Sequence, residues 1–225
     1  MEKTGSKAAT QNREHSDHTS SHSNQEIKQK IIEVASRLFA EKSFEGASVR
    51  EIASQCGVNI AMISYYFGGK EGLYLECIAN FAKGRVQALQ KILTPVQNAE
   101  EFKIRLKLFF ESMMSLYSED KHLVRIIIRE AQTDRGDEFY NKVMEHLHPI
   151  FMIVQNYFES AIQNKIIKAD TNAEHLATMT MAVMSHPCIM EKAIVRVQGC
   201  EIESDDYQIH YIKQICDTFF SGVLA

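Results

Sequence analysis

The apolar positions along the chain fall into one helical segment after another. From Gln25 onward, Ile27, Ile31, Val34, Ala35 and Leu38 recur at three- and four-residue spacing, and Phe39 widens the same face. That period predicts an amphipathic helix ending near Lys42, before Phe44 and Gly46. Val49, Ile52 and Ala53 predict a second, short helix. Ser48 is its N-cap, and Glu51 three residues on completes a capping-box pattern. Gly57 ends it, and a third short helix runs from about Asn59, its cap, to Tyr65. Gly68-Gly69 then breaks the chain, and Lys70 opens a longer helix through Leu89 whose stripe is Leu73, Tyr74, Cys77, Ile78, Phe81 and Ala82.

After Thr94-Pro95 the helical texture continues. Phe102, Leu106, Phe109, Met113 and Leu116 form one stripe, and Leu123, Ile126 and Ile127 mark a short helix. Val143, Leu147, Ile150, Val154, Phe158 and Ile162 form another stripe, in which Pro149 predicts a kink or a division. Ala173, Leu176, Thr180 and Val183 predict a helix ending near Pro187. Residues 188–200 are apolar but poorly periodic. Tyr207, Tyr211, Ile212, Ile215 and Phe219 predict the last helix. No alternating strand pattern of useful length occurs. Residues 1–25 hold no Ile, Leu, Val, Phe, Tyr or Trp and predict a disordered polar tail, having too little apolar surface to offset the entropy of ordering.

The three short segments between residues 48 and 65 carry the sharpest signal. Two helices crossing steeply need a small residue where their backbones approach, and Ala53 supplies it. They need a tight turn four residues later, and Gly57 supplies it. Ile63 anchors the second helix in the core, and Val58 fills the space under the turn. These offsets are those of a helix-turn-helix.

The stretch IIEVASRLFAEKSFEGASVREIASQCGVNIAMISYYFGGKEGLY, within residues 26–82, resembles the N-terminal domain of the TetR family of bacterial transcriptional regulators. The likeness covers about a quarter of the chain and rests on the A-x-x-L-F-A-x-K-x-F run, the S-V-R-x-I-A run, the C-G-V turn and the Y-Y-F-G-G-K-E-x-L-Y close. It implies an all-α fold: a three-helix DNA-binding domain (residues 26–72) after the tail (1–25), then a helical bundle for ligand binding and dimerisation (73–225). The resemblance places Asn59, Ile60, Ala61, Met62, Ser64 and Tyr65 at base edges or the adjacent backbone. It places Tyr66 and Lys70 on phosphates, and Ser48 and Arg50 where the preceding helix nears the backbone. Relatives often carry Lys, Gly and Thr where this chain has Ile60, Ala61 and Met62, and Tyr where it has Ser64. The recognition segment therefore has no Arg or Lys, and bidentate reading of guanine is not expected from it. Asn59 is left to read adenine, and Ile60 or Met62 to touch thymine methyls.

Composition narrows the function classes. The chain has 225 residues, 45% hydrophobic and 24% charged, with a net charge of −4. Residues 26–90 carry a slight positive excess and residues 91–225 hold the acidic surplus, so DNA binding must rest on local residues rather than on a basic chain. The apolar runs are too short to span a membrane and the N-terminus lacks an apolar leader, which together predict a cytoplasmic protein. Five cysteines without a C-x-x-C pair predict neither a disulfide framework nor a zinc module.

Other chemistry is sparse. His15, His18 and His22 read as a solvated tail. His146, His148, His175, His186 and His210 are scattered, and two-apart spacing does not put two ligands on one helix face. No metal and no cofactor are expected. No nucleophile motif or phosphate loop occurs, so an enzyme is not expected. Met113, Met114, Met144, Met152, Met179, Met181, Met184 and Met190 crowd the C-terminal half, and methionine makes adaptable apolar surfaces. Phe109, Met113, Arg129, Phe151, Tyr157, Met181 and Met184 are the candidate lining of a cavity for a small apolar effector. The expected partners are a near-palindromic double-stranded operator, that effector and a second copy of the chain. The alternative is a helical binding module whose helix-turn-helix no longer touches DNA.

Overall fold

The computed structural model describes residues 8–119, 121–130, 133 and 136–223, with side chains described from Asn24 onward. Ten helices account for these residues, and no strand occurs among them: α1 (Ala8–Gly46), α2 (Val49–Cys56), α3 (Ile60–Phe67), α4 (Lys70–Ile92), α5 (Ala99–Glu119), α6 (Lys121–Glu130), α7 (Asp137–Gln163), α8 (Ala173–Ile189), α9 (Glu191–Gln198) and α10 (Asp205–Val223). The all-α fold expected from periodicity is what the chain adopts.

Several boundaries differ from the expected ones. The backbone of α1 is helical from Ala8, inside the segment expected to be a tail; the side chains of that segment before Asn24, His15, His18 and His22 included, lie outside the described residues. At its other end α1 breaks at Ser43 (φ 66°, ψ 173°), one residue past the stop expected near Lys42. Pro149 does not divide α7, which runs through it. The weakly periodic stretch 188–200 contains α9, a two-turn helix with Ile194 as its buried residue.

The chain divides into two compact units, meeting between Cys77 and Ile78. The first has its core in Ile31, Ala35, Leu38 and Phe39 of α1, Ile52, Ala53 and Cys56 of α2, Ile63 of α3, and Leu73, Tyr74 and Cys77 of α4, all buried. Tyr74 meets Phe39 edge-on at 4.8 Å and Phe44 at 5.1 Å, and the Cys77 thiol approaches the Ile32 carbonyl at 3.7 Å. The first turns of α4 therefore belong with the three-helix unit, although a division after residue 72 was expected.

The second unit is a helical bundle around Phe102, Phe109, Phe110, Val154, Tyr157 and Phe158. Phe102 and Tyr157 stack at 5.5 Å, and the Tyr157 hydroxyl donates to the Phe102 carbonyl at 3.0 Å. One internal repair stands out in α8. Pro187 lies inside that helix and has no amide hydrogen for the Val183 carbonyl four residues back. The Tyr211 hydroxyl of α10 donates to that carbonyl instead, at 2.8 Å. The Tyr117 hydroxyl of α5 donates to the next carbonyl, that of Met184. At the end of α8 the Met190 amide donates to the His186 carbonyl at 2.9 Å.

Candidate nucleic-acid interface

The site is built from α2, the turn at Gly57 and α3. Ser48 has extended backbone and its Oγ accepts from the Glu51 amide at 3.1 Å, so it caps α2 as expected. The reciprocal half of the capping box is replaced: the Glu51 carboxylate pairs with Lys42 at 2.6 Å. At the other end Gly57 takes φ 69°, the left-handed conformation that glycine adopts at least cost. The Gly57 amide donates to Ser54 and the Val58 amide to Ala53 at 3.0 Å, a Schellman closure. This closure fixes the direction in which α3 leaves.

Asn59 caps α3, its Oδ1 accepting from the Ala61 amide at 2.9 Å. Ile63 is the buried residue of α3 and is fully enclosed. Around it, Ile60, Ala61, Ser64 and Tyr65 are exposed, Tyr65 to 83%, while Met62 is half-buried. Gly68 (φ 71°) ends the helix with its amide on the Ser64 carbonyl.

The other expected contacts are held within the unit. The Tyr66 hydroxyl donates to Asn24 at 2.8 Å, and the Lys28 ammonium lies 5.4 Å from the Tyr66 ring centre. Lys70 donates to the Glu45 carbonyl at 3.3 Å and lies over the Phe44 ring at 4.6 Å. Arg37 donates to Gln55 at 2.6 Å, linking α1 to the solvent side of α2. Ser48 and Arg50 are exposed beside the start of α2. Sequence reasoning missed Lys28, Asn24 and Gly72. A Cβ on Gly72 would stand 1.8 Å from the Phe67 carbonyl oxygen, so the third glycine of G-G-K-E-G allows α4 to start against the end of α3. That glycine cluster was the only signal for it in the sequence.

The candidate effector residues are scattered through the second unit. Phe109, Tyr157 and Met184 are buried in the bundle core, Met113, Phe151 and Met181 pack against it, and Arg129 is half-buried on α6. Three grooves among the described residues are lined by other side chains. One apolar groove, about 430 Å³, lies between α8 and α10, along Met179, Val183, Tyr211, Ile215 and Phe219. The described residues hold no cluster of three or more metal-ligating side chains, and none of their helices is long and apolar enough to cross a membrane.

Residues 31–77 match the family described as bacterial regulatory proteins, tetR family. The HTH-type transcriptional regulator YttP of Bacillus subtilis is 38% identical over 107 residues, 48% of this chain and 51% of YttP. The HTH-type transcriptional dual regulator CecR of Shigella flexneri is 48% identical over 60 residues, 25% of this chain and 26% of CecR. The alignments thus span about half or less of these curated relatives. The solved structure of the transcriptional regulator FadR from Bacillus subtilis in complex with stearoyl-CoA shares the fold, with a TM-score of 0.68 at 19% identity over 84% of this chain and 97% of that one. The helix-turn-helix geometry of α2 and α3 and the match over residues 31–77 lead to one conclusion: the first unit of this chain carries a helix-turn-helix domain of the kind found in bacterial regulatory proteins of the tetR family.

Proposed function

We propose that this protein is a ligand-responsive repressor that binds a near-palindromic operator as a homodimer and leaves it when a small apolar molecule enters the second unit. The observation that carries this reading is the α2–α3 pair. It is closed at Gly57 and anchored by Ile63, and it turns the outer face of α3 to solvent. Such a helix enters the major groove, and a two-fold dimer sets two of them about 34–36 Å apart. Ser48 and Arg50 then meet phosphate oxygens at the start of α2, where free amides and a cation favour an anion. Lys70 and Tyr66 reach the backbone by exchanging their present partners, Glu45 and Asn24, for phosphate.

The α8–α10 groove supports the dimer. Met179 is 60% exposed there beside Val183 and Tyr211, an apolar surface suited to the same helices of a second copy. We assign the effector to the second unit with Phe109, Met113, Arg129, Phe151, Tyr157, Met181 and Met184 as its candidate lining, a reading supported by the apolar core to which Phe109, Tyr157 and Met184 belong. The stearoyl-CoA in the related FadR fold makes a long acyl chain the first class to try. Linkage requires that the effector bind most tightly to the conformation that fits DNA poorly.

The test is selection from random-sequence duplexes by the purified full chain at physiological salt, followed by titration with stearoyl-CoA. Recovery of a near-palindromic site, released on titration, supports the whole reading. A folded dimer that enriches no sequence refutes it in favour of a DNA-silent binding module, the reading that the absence of Lys and Arg from α3 would favour.

A further inference from the structure

We infer that α3 reads its operator through the 5-methyl groups of thymine, using the uncharged stripe Ile60, Ala61, Ser64 and Tyr65, and not through bidentate hydrogen bonds to guanine or adenine edges. The inference rests on α3 being the helix that enters the major groove.

Residues 60, 61, 64 and 65 lie within a sector of about 140° at 100° per residue, and Ile63 lies outside it, about 60° beyond Ile60. All four are exposed, Ile60 to 44% and Tyr65 to 83%, so the stripe is surface and not core. Reading guanine needs two N–H donors aimed together at O6 and N7. Residues 59–67 contain no Arg, Lys, Gln or His to supply them. Reading adenine bidentately needs both the oxygen and the nitrogen of an asparagine amide. Asn59 has committed its Oδ1 to the Ala61 amide at 2.9 Å, and turning it toward a base would strip α3 of its cap. The sequence expectation that Asn59 reads adenine is therefore revised, and half-buried Met62 gives way to Ile60 as the apolar contact.

What α3 does present is methyl and methylene carbon from Ile60, the Ala61 methyl, the Tyr65 ring and the Ser64 hydroxyl. The Tyr65 ring is braced edge-on against Tyr66 at 5.1 Å. Tyr65 thus offers a large apolar face at little further ordering cost. In the major groove the complementary feature is the thymine methyl, which no other base carries.

The experiment starts from the duplex that random-sequence selection by the full chain enriches most. That duplex is resynthesised with deoxyuridine at each thymidine in turn, and its affinity is measured for the wild type and for Ile60→Ala. Removing one buried methyl is expected to weaken wild-type binding about fourfold at one to three positions in each half-site. Ile60→Ala is expected to erase that difference at one of those positions, with its thermal melt unchanged because Ile60 is exposed. An enriched duplex whose affinity is indifferent to uracil at every position overturns this inference alone. So does loss of binding on replacing guanine with 7-deazaguanine opposite α3. Failure to enrich any duplex overturns it together with the DNA-binding reading.

Discussion

The two tyrosines that repair α8 allow a prediction with a built-in control. Replacing Tyr211 with Phe removes one hydroxyl and leaves the ring. The Val183 carbonyl then has neither the helical donor that Pro187 lacks nor its substitute at 2.8 Å. A stranded carbonyl costs about 1–3 kcal/mol, and because Val183 and Tyr211 are half-buried, so that water reaches the site in part, the expected loss is about 1 kcal/mol. For a chain of this size that lowers the melting temperature by about 2–4 °C. Pro187→Ala restores an amide hydrogen four residues after Val183. In that background Tyr211→Phe should cost only a few tenths of a kcal/mol, because the helix now supplies the bond. Thermal melts of the wild type, the two single variants and the double variant give the coupling directly. Equal losses in both backgrounds would show that Tyr211 contributes by packing alone, and the repair argument would be wrong.

Three further outcomes follow from the first and second units. Gly72→Ala should weaken operator binding at least tenfold and lower the melting temperature, since its Cβ would overlap the Phe67 carbonyl and push α3 from α4; an unchanged affinity would contradict the close approach. Ile63→Ala should destabilise the first unit by about 2–5 kcal/mol, as an enclosed side chain is lost from the core, measurable by urea unfolding. Stability should fall as pH rises from about 9. Burial holds the Cys77 thiol up to about 12 and Cys188 and Cys216 up to about 11, whereas unfolded thiols ionise near 9.0. The unfolded state sheds these protons first, so Cys77 costs up to about 1.4 kcal/mol per pH unit between its unfolded and folded values, and solvent screening makes the cost of Cys188 and Cys216 smaller. Urea melts from pH 7.5 to 10.5 would show the slope, and Cys77→Ala should reduce it; a flat profile would count against burial of these thiols.

The sequence by itself determined the helical class, the three-helix unit and both caps of its turn. Those features are local: a period of 3.6, a Ser or Asn hydroxyl or amide within reach of the next two or three backbone amides, and a glycine where φ must be positive. Such interactions join residues a few positions apart, so their spacing is written in the chain. The family likeness over residues 31–77 rests on the same local pattern. Tertiary structure decided what no spacing records. It joined Tyr66 to Asn24 across 42 positions and drew Tyr74 and Cys77 into the first core. It brought Tyr117 and Tyr211 to the carbonyls around Pro187, and it half-buried Met62 while leaving Ile60 and Tyr65 bare. A side chain's partners across the fold depend on how whole helices pack, and only packing turns a list of candidate contacts into a surface with one chemistry.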